Sequence, residues 1–180
     1  MDLGAAAWTF QEPRTQDWLT AEVPGCSHTD LLAHALIPDP FHGRNELDLQ
    51  WIEERDWYYR CDFEIDVSLL GEDEIELVFE GLDTVATVLR NGEVILVSDN
   101  MFHRHRVPVK PWLRPGSNRL AFTFSSVINY LKTQRSDFKV EESNDRDQVL
   151  LRRRRLDGDA LLSENTVFFA APRMLDLRPS

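Results

Sequence analysis

The sequence predicts an all-β fold: an antiparallel sandwich with one short helix and an irregular C-terminal tail. Three observations predict it. Apolar and polar residues alternate with a period near two in several short runs, as half-buried strands require. These runs recur every ten or so residues between Trp8 and Phe124, with turn residues rather than long helices between them. Asn91-Gly92 separates two of them. Both residues tolerate positive φ, and a type I′ turn matches the twist of paired strands.

In chain order, Trp8 to Phe10 and Trp18 to Val23 read as short strands around a turn at Glu12-Pro13, and Pro24-Gly25 stops the second. Thr29 or Ser27 is placed to cap a helix over about Thr29 to Ala35, where Leu31, Leu32 and Ala35 recur at helical spacing. Its apolar face is expected to plug one end of the sandwich. From Ile37 to Asp56 the chain is irregular, because Pro38, Pro40 and Gly43 forbid a long element at its start. Asn45 is placed to cap a turn or short helix running through Trp51 and Ile52.

Asp56 to Ile65 alternates cleanly. Trp57, Tyr59, Cys61, Phe63 and Ile65 share one face, and Tyr58, Arg60, Asp62 and Glu64 the other. A slip of one residue would bury the charged set, so the register is fixed. A loop is expected over Ser68 to Asp73. Ile75, Leu77 and Phe79 then face one way, and Glu74, Glu76, Val78 and Glu80 the other. Thr84 to Arg90 and Glu93 to Val97 form the hairpin around Asn91-Gly92. His103 to Val109 follows, with Val107 and Val109 on one side, and Pro108 places it at an edge because proline cannot donate to a ladder. Leu113 to Gly116 is a turn, Arg119 to Phe124 a strand, and Val127 to Leu131 is expected to extend a strand.

Residues 1–130 are thus expected to form one domain. Residues 131–159 mix basic and acidic side chains without periodicity and cannot bury enough apolar surface to offset ordering entropy, so a linker or disordered stretch is expected there. Residues 160–180 are apolar and β-prone again. The formal net charge of −11 argues against a nucleic-acid partner. No apolar run approaches the ~20 residues that cross a bilayer. The opening MDLGAAAWTFQEPR lacks the basic start of a secretion signal, which points to a cytoplasmic address. Cys26 and Cys61 read as two buried free thiols rather than a pair.

Three groups of residues bear on chemistry. Asp39, Glu46, Asp48, Glu53, Glu54 and Asp56 crowd the irregular loop, but a carboxylate pair needs a cleft and perturbed pKa values, so they read as solvated charges or caps. Phe41, Trp51, Trp57 and Tyr58 cluster there too. Flat rings beside amide and carboxylate groups suit a sugar, whereas Trp57 and Tyr59 belong to the core face. His103 and His105 have a spacing that chelates metals, with His42 or Asp99 as a third ligand. Surface histidines are the plainer reading, so no metal and no cofactor is expected. Arg152 to Arg155 is balanced by nearby acids and reads as a solvated run.

GLDTVATVLRNGE and SDNMFHRHRVPVKPWLRPGSNRLAFTF, with VPGCSHTDLLAHALIPDPFHGRNELDLQWIEERDWYYRCDFEI upstream, resemble the N-terminal sugar-binding-type domain of the β-mannosidases of glycoside hydrolase family 2. The resemblance covers roughly Trp8 to Phe124. It implies a galactose-binding-like jelly roll that leans on a catalytic barrel, and the barrel supplies the family's acid/base and nucleophile glutamates. No segment of this sequence matches the barrel, and the family's Phe-Gly-Trp-Asp-Trp-Gly-Pro run is missing, so no catalytic residue is assigned. The DPFHGRNE segment looks like the family's loop near the barrel mouth, which makes Asn45, Glu46 and Trp51 the candidates for substrate contact in a complete enzyme. LLSENTVFFAAP resembles part of the family's C-terminal β-sandwich.

The resulting expectation is a non-catalytic N-terminal domain, inactive alone, of an enzyme that hydrolyses terminal β-D-mannosyl residues. Its partners are the barrel and mannosides. The alternative is a free-standing carbohydrate-binding module.

Overall fold

The computed structural model describes residues 1–133 and the strand Pro172–Pro179. Two antiparallel sheets pack face to face. The larger has six strands in the order β2 (Trp18–Ala21), β1 (Trp8–Gln11), β3 (Trp57–Ile65), β8 (Gly116–Ser125), β5 (Val85–Arg90) and β6 (Glu93–Ser98). The smaller has β7 (His105–Pro108), β4 (Ile75–Leu82) and β9 (Pro172–Pro179).

Alternation sets the register as expected. Along β3 the odd-numbered residues from Trp57 to Ile65 are buried, while Tyr58, Asp62 and Glu64 are exposed and Arg60 half-buried. The charged set therefore stays in water, and β3 pairs with β8 along its whole length, Trp57 to Phe124 and Ile65 to Gly116. Asn91 and Gly92 take φ of 48° and 93°, the left-handed pair that the β5–β6 hairpin needs.

The smaller sheet obeys the same parity. The Val109 amide donates to the Ile75 carbonyl at 2.8 Å, so Ile75, Leu77 and Phe79 turn their backbone groups towards β7. Pro108, opposite Glu76, falls at a non-bonded position of an edge strand, where its missing N–H costs nothing. Val78, expected on the outer face, is buried nonetheless at 1% exposure.

Aromatic rings tie the sheets together. Phe122 lies 5.5 Å from Trp8, 5.9 Å from Phe124 in a near-parallel stack, and 6.0 Å edge-on from Phe79 of the opposing sheet. Such pairs add about 0.5–1.5 kcal/mol each beyond area burial.

Several local expectations are corrected. The first helix, α1, is Ser27–Ala33, because Ala35 turns to a φ of 54° and ends it. Neither Ser27 nor Thr29 stands at its cap. Cys26 does, and Thr29 reaches back from the third helical position to accept the Cys26 amide at 3.1 Å. α1 drives Leu31 into the core. Asp30 of α1 accepts the Tyr59 hydroxyl at 2.8 Å and the Glu22 amide at 3.0 Å, which fastens the helix to β3 and to the end of β2.

The irregular loop holds a four-residue helix, α2 (Asn45–Asp48), and a 3₁₀ turn at Gln50–Ile52, with Arg44 rather than Asn45 at the cap position. Ser68 to Leu70, expected as the start of a loop, instead belong to a single helical turn, α3 (Val67–Leu70), because the Asp66 carboxylate caps the Ser68 amide at 2.7 Å. Val127–Thr133 is a helix, α4, and not a continued strand. Ser126 explains the switch: its hydroxyl accepts the Asn129 amide at 3.1 Å and donates to the Glu53 carbonyl at 2.6 Å, while its own amide is held by Asp56 at 2.8 Å.

The expected linker lies outside the described residues beyond Thr133, as does LLSENTVFFAA of the β-prone segment. Pro172–Pro179 pairs with β4 from Leu82 back to Ile75.

Candidate functional site: the loop end of the sandwich

The strand registers bring five segments to one end of the molecule. Gln11 pairs with Trp18 and Tyr58, Trp57 with Phe124, Ala86 with both Ser98 and Phe124, and Phe79 with His105. The turn 12–17, the loop 38–56, Asp83-Thr84, the loop 99–104 and α4 therefore share a rim.

Three side chains organise its first half. Glu12 is almost fully buried, at 1% exposure. It accepts the Arg14 guanidinium at 2.6 Å and the amides of Arg14 and Thr15 at 2.8 and 2.6 Å. Burial pushes the carboxyl up, but these donors outweigh it and the net pKa lies below the ordinary value. Arg14 in turn lies 4.1 Å over the Trp51 ring. Trp51 packs at 6.4 Å against Trp57, whose indole N–H donates to the Ile52 carbonyl at 2.9 Å.

The three candidate contact residues consequently differ in freedom. Trp51 is half-buried, with one ring face under Arg14. The Asn45 side-chain amide donates to the Asp39 carbonyl at 2.8 Å and braces the loop. Glu46 is exposed on α2. Phe41 and Phe102, 87% and 84% exposed, project from the two long loops, with Leu47 exposed beside Glu46 in sequence.

Below the loop lies a cleft that sequence reasoning missed. Ile52, Glu53, Arg55, Asp83, Thr84 and Ser126 line it, with Trp57 and Phe124 as its apolar floor. The sequence singles out Glu53 only as a loop charge, and Asp83 not at all. Glu53 Oε2 is buried without a hydrogen-bond partner. Burial, and secondarily the neighbouring Glu54, raise its pKa. Asp83 is 4% exposed and accepts the Thr84 hydroxyl.

Two carboxyl groups lining one cleft invite comparison with a glycosidase pair. Size decides against it. The cavity holds about 30 Å³, enough for one or two waters, while sites that enclose a small organic ligand run to roughly 300–1,000 Å³. A sugar ring does not fit between these groups.

His103 and His105 lie 6.2 Å apart, ring to ring. His105 Nε2 is 3.1 Å from the Ser98 hydroxyl, and burial, then the charge of His103, lower its pKa. Among the described residues no three His, Cys, Asp or Glu side chains gather as a metal site. Both cysteines are buried free thiols, and burial, then Asp62, push Cys61 up to about 12. Among the described residues no helix is long and apolar enough to cross a membrane.

Known proteins share this chain's sequence and shape. β-Mannosidase B of Thermothelomyces thermophilus is 43% identical over 122 residues, which are 66% of this chain and 14% of that protein. The β-D-mannosidase structure from Dictyoglomus thermophilum superposes with a TM-score of 0.74 at 37% identity, covering 81% of this chain and 18% of that one. The exo-chitosanase of Amycolatopsis orientalis, at 20% identity and a TM-score of 0.59, shares the fold. The chain thus spans about one seventh of the length of the curated relative it matches. The profile described as glycosyl hydrolase 2 galactose-binding domain-like matches residues 8–158. The chain belongs to that family, and its region corresponds to the N-terminal domain of the family 2 β-mannosidases.

Proposed function

We propose that this domain is a non-catalytic wall of a β-mannosidase-type glycoside hydrolase, whose complete parent hydrolyses terminal β-D-mannosyl residues at a centre supplied by a catalytic domain. One observation carries the reading: the cleft that gathers acidic side chains at the loop end is an order of magnitude too small for a sugar. The fold and the kinship with far larger enzymes support the same division of labour.

The rim is the surface offered to the catalytic domain. Phe41, Leu47 and Phe102 are apolar side chains that a docked partner would cover. In that assembly Asn45, Glu46 and Trp51 border the active-site mouth. Glu46 is the freest of the three to meet a mannoside hydroxyl, and Trp51 sets the loop's position through Arg14 and Trp57. A connector after α4 and a segment, 160–180, that resembles part of the C-terminal β-sandwich of the same enzymes and whose Pro172–Pro179 pairs with β4 belong to this reading. A cytoplasmic address belongs to this reading, since thiols stay unpaired there and Cys26 and Cys61 are free and buried.

Calorimetric titration with mannose and manno-oligosaccharides tests the reading. A scaffold gives no saturable heat below millimolar sugar. Saturable heat that disappears in Glu46→Ala would instead make the chain a carbohydrate-binding module.

A further inference from the structure

β4 is a central strand whose second neighbour comes from far along the chain. β7 covers only Glu76 to Phe79 on one side, whereas β9 runs opposite Ile75 to Leu82 on the other. Because Ile75, Leu77 and Phe79 bond towards β7, the backbone groups of Glu76, Val78 and Glu80 point towards β9. Without β9 an eight-residue edge of unpaired donors and acceptors would lie open. That edge belongs to a strand in which Ile75, Leu77, Val78, Phe79 and Leu82 are all buried, a template for any extended segment.

The segment that fills this edge is held by β4 alone, since β9 ends its sheet. In sequence, 38 residues separate Thr133 from Pro172. Stretched out, such a length spans on the order of 130 Å, far more than the width of this domain. The covalent link therefore permits β9 to reach the β4 edge of a neighbouring copy as well as its own. What favours the chain's own copy is effective concentration, which falls as the connecting length grows.

We propose that the β4 edge is a strand-docking site whose occupant, residues 172–179, exchanges between two copies of this chain, giving a reciprocal strand-swapped dimer at high protein concentration. The recognition is β-strand addition: the ladder supplies the bonds, and the register sets Leu175 and Leu177 opposite Phe79 and Leu77.

Glu76 and Arg178 form one of the bonded pairs of this register. Their Cα atoms are then about 5.5 Å apart, inside the range a disulfide spans. Full-length Glu76→Cys and Arg178→Cys chains, one of them isotope-labelled, are mixed at high concentration and oxidised, and mixed dimers are counted by mass. Several-fold more mixed dimer is expected than with Val97→Cys, an exposed position on the other sheet, as the partner. The double variant in one dilute chain closes on itself. Mixed dimer no more abundant than in the Val97→Cys control, or a double variant that fails to close, overturns the proposal.

A second measurement needs no substitution in the protein. A fluorescent peptide of residues 172–180 added to the unaltered chain is expected to gain anisotropy saturably. The same peptide with Asp176→Pro, which lacks an N–H that faces β4, is expected not to. Equal behaviour of the two peptides also refutes strand exchange.

Discussion

Phe122→Ala is the sharpest test of how the two sheets hold together. Phe122 is 1% exposed and touches three rings, Trp8 and Phe124 of its own sheet and Phe79 across the core. Truncation removes roughly 100 Å² of apolar side chain from the interior, about 2.5 kcal/mol at 25 cal/mol per Å². The cavity left between the sheets and the lost ring contacts bring the expected cost to about 4 kcal/mol. With a urea slope of about 2 kcal/mol/M, the unfolding midpoint should fall by roughly 2 M. Phe122→Leu keeps most of the volume and should lose about 1–1.5 kcal/mol. Urea titration followed by tryptophan fluorescence reads both. A loss below about 1 kcal/mol for the alanine variant would mean that the ring cluster does not bridge the sheets.

Four further outcomes follow from the same reasoning. Glu12→Gln should cost about 1–2 kcal/mol at pH 7, since it weakens three hydrogen bonds to a buried carboxylate. The folded pKa of Glu12 is lowered, so its contribution is present above the ordinary value of 4.5 and is lost as pH falls through the folded value. The gap between wild type and variant should therefore close in acid, as equilibrium unfolding at pH 7 and below pH 4.5 would show. Asp30 has the opposite sign. Burial raises its pKa, so its contribution is complete below 3.8 and is lost as pH rises through the folded value. In Asp30→Asn, whose carbonyl oxygen still accepts the Glu22 amide while its NH2 donates to the Tyr59 oxygen, that downward slope just above pH 3.8 should vanish from the stability profile.

Arg90 is 6% exposed, donates to Asn118, and has a buried Nε without a partner. Burial, then Arg114, lower its pKa. Arg90→Met should be neutral or raise stability by on the order of 1 kcal/mol, measured as a urea midpoint. Dye that reports exposed apolar surface should bind the chain, and Phe41→Ser with Phe102→Ser should remove most of that signal.

Much of this fold was legible because period-two alternation is a local signal. Trp57 to Ile65 could be assigned face by face, and Asn91-Gly92 named its own hairpin. Pro108 announced an edge before the ladder was seen. Helix α4 was misread because Val127, Ile128 and Tyr130 are β-prone by type, while the cap that turns the chain, Ser126, takes its partners Glu53 and Asp56 from seventy residues away. The cleft at the loop end was hidden for the same reason. Glu53 and Asp83 are thirty positions apart, and only the pairing of β3 and β5 with β8 brings their segments together. Trp51 was singled out, but the residue that fixes it, Arg14, was not. A cation over a ring leaves no spacing rule in a sequence.

The account rests on the glycosidic bond being cut elsewhere than in this domain. The direct measurement is hydrolysis of an aryl β-mannoside by the full chain at tens of micromolar, followed for hours. A rate equal to the buffer blank is predicted, unchanged in Glu53→Gln. Saturable turnover that Glu53→Gln abolishes would contradict the account.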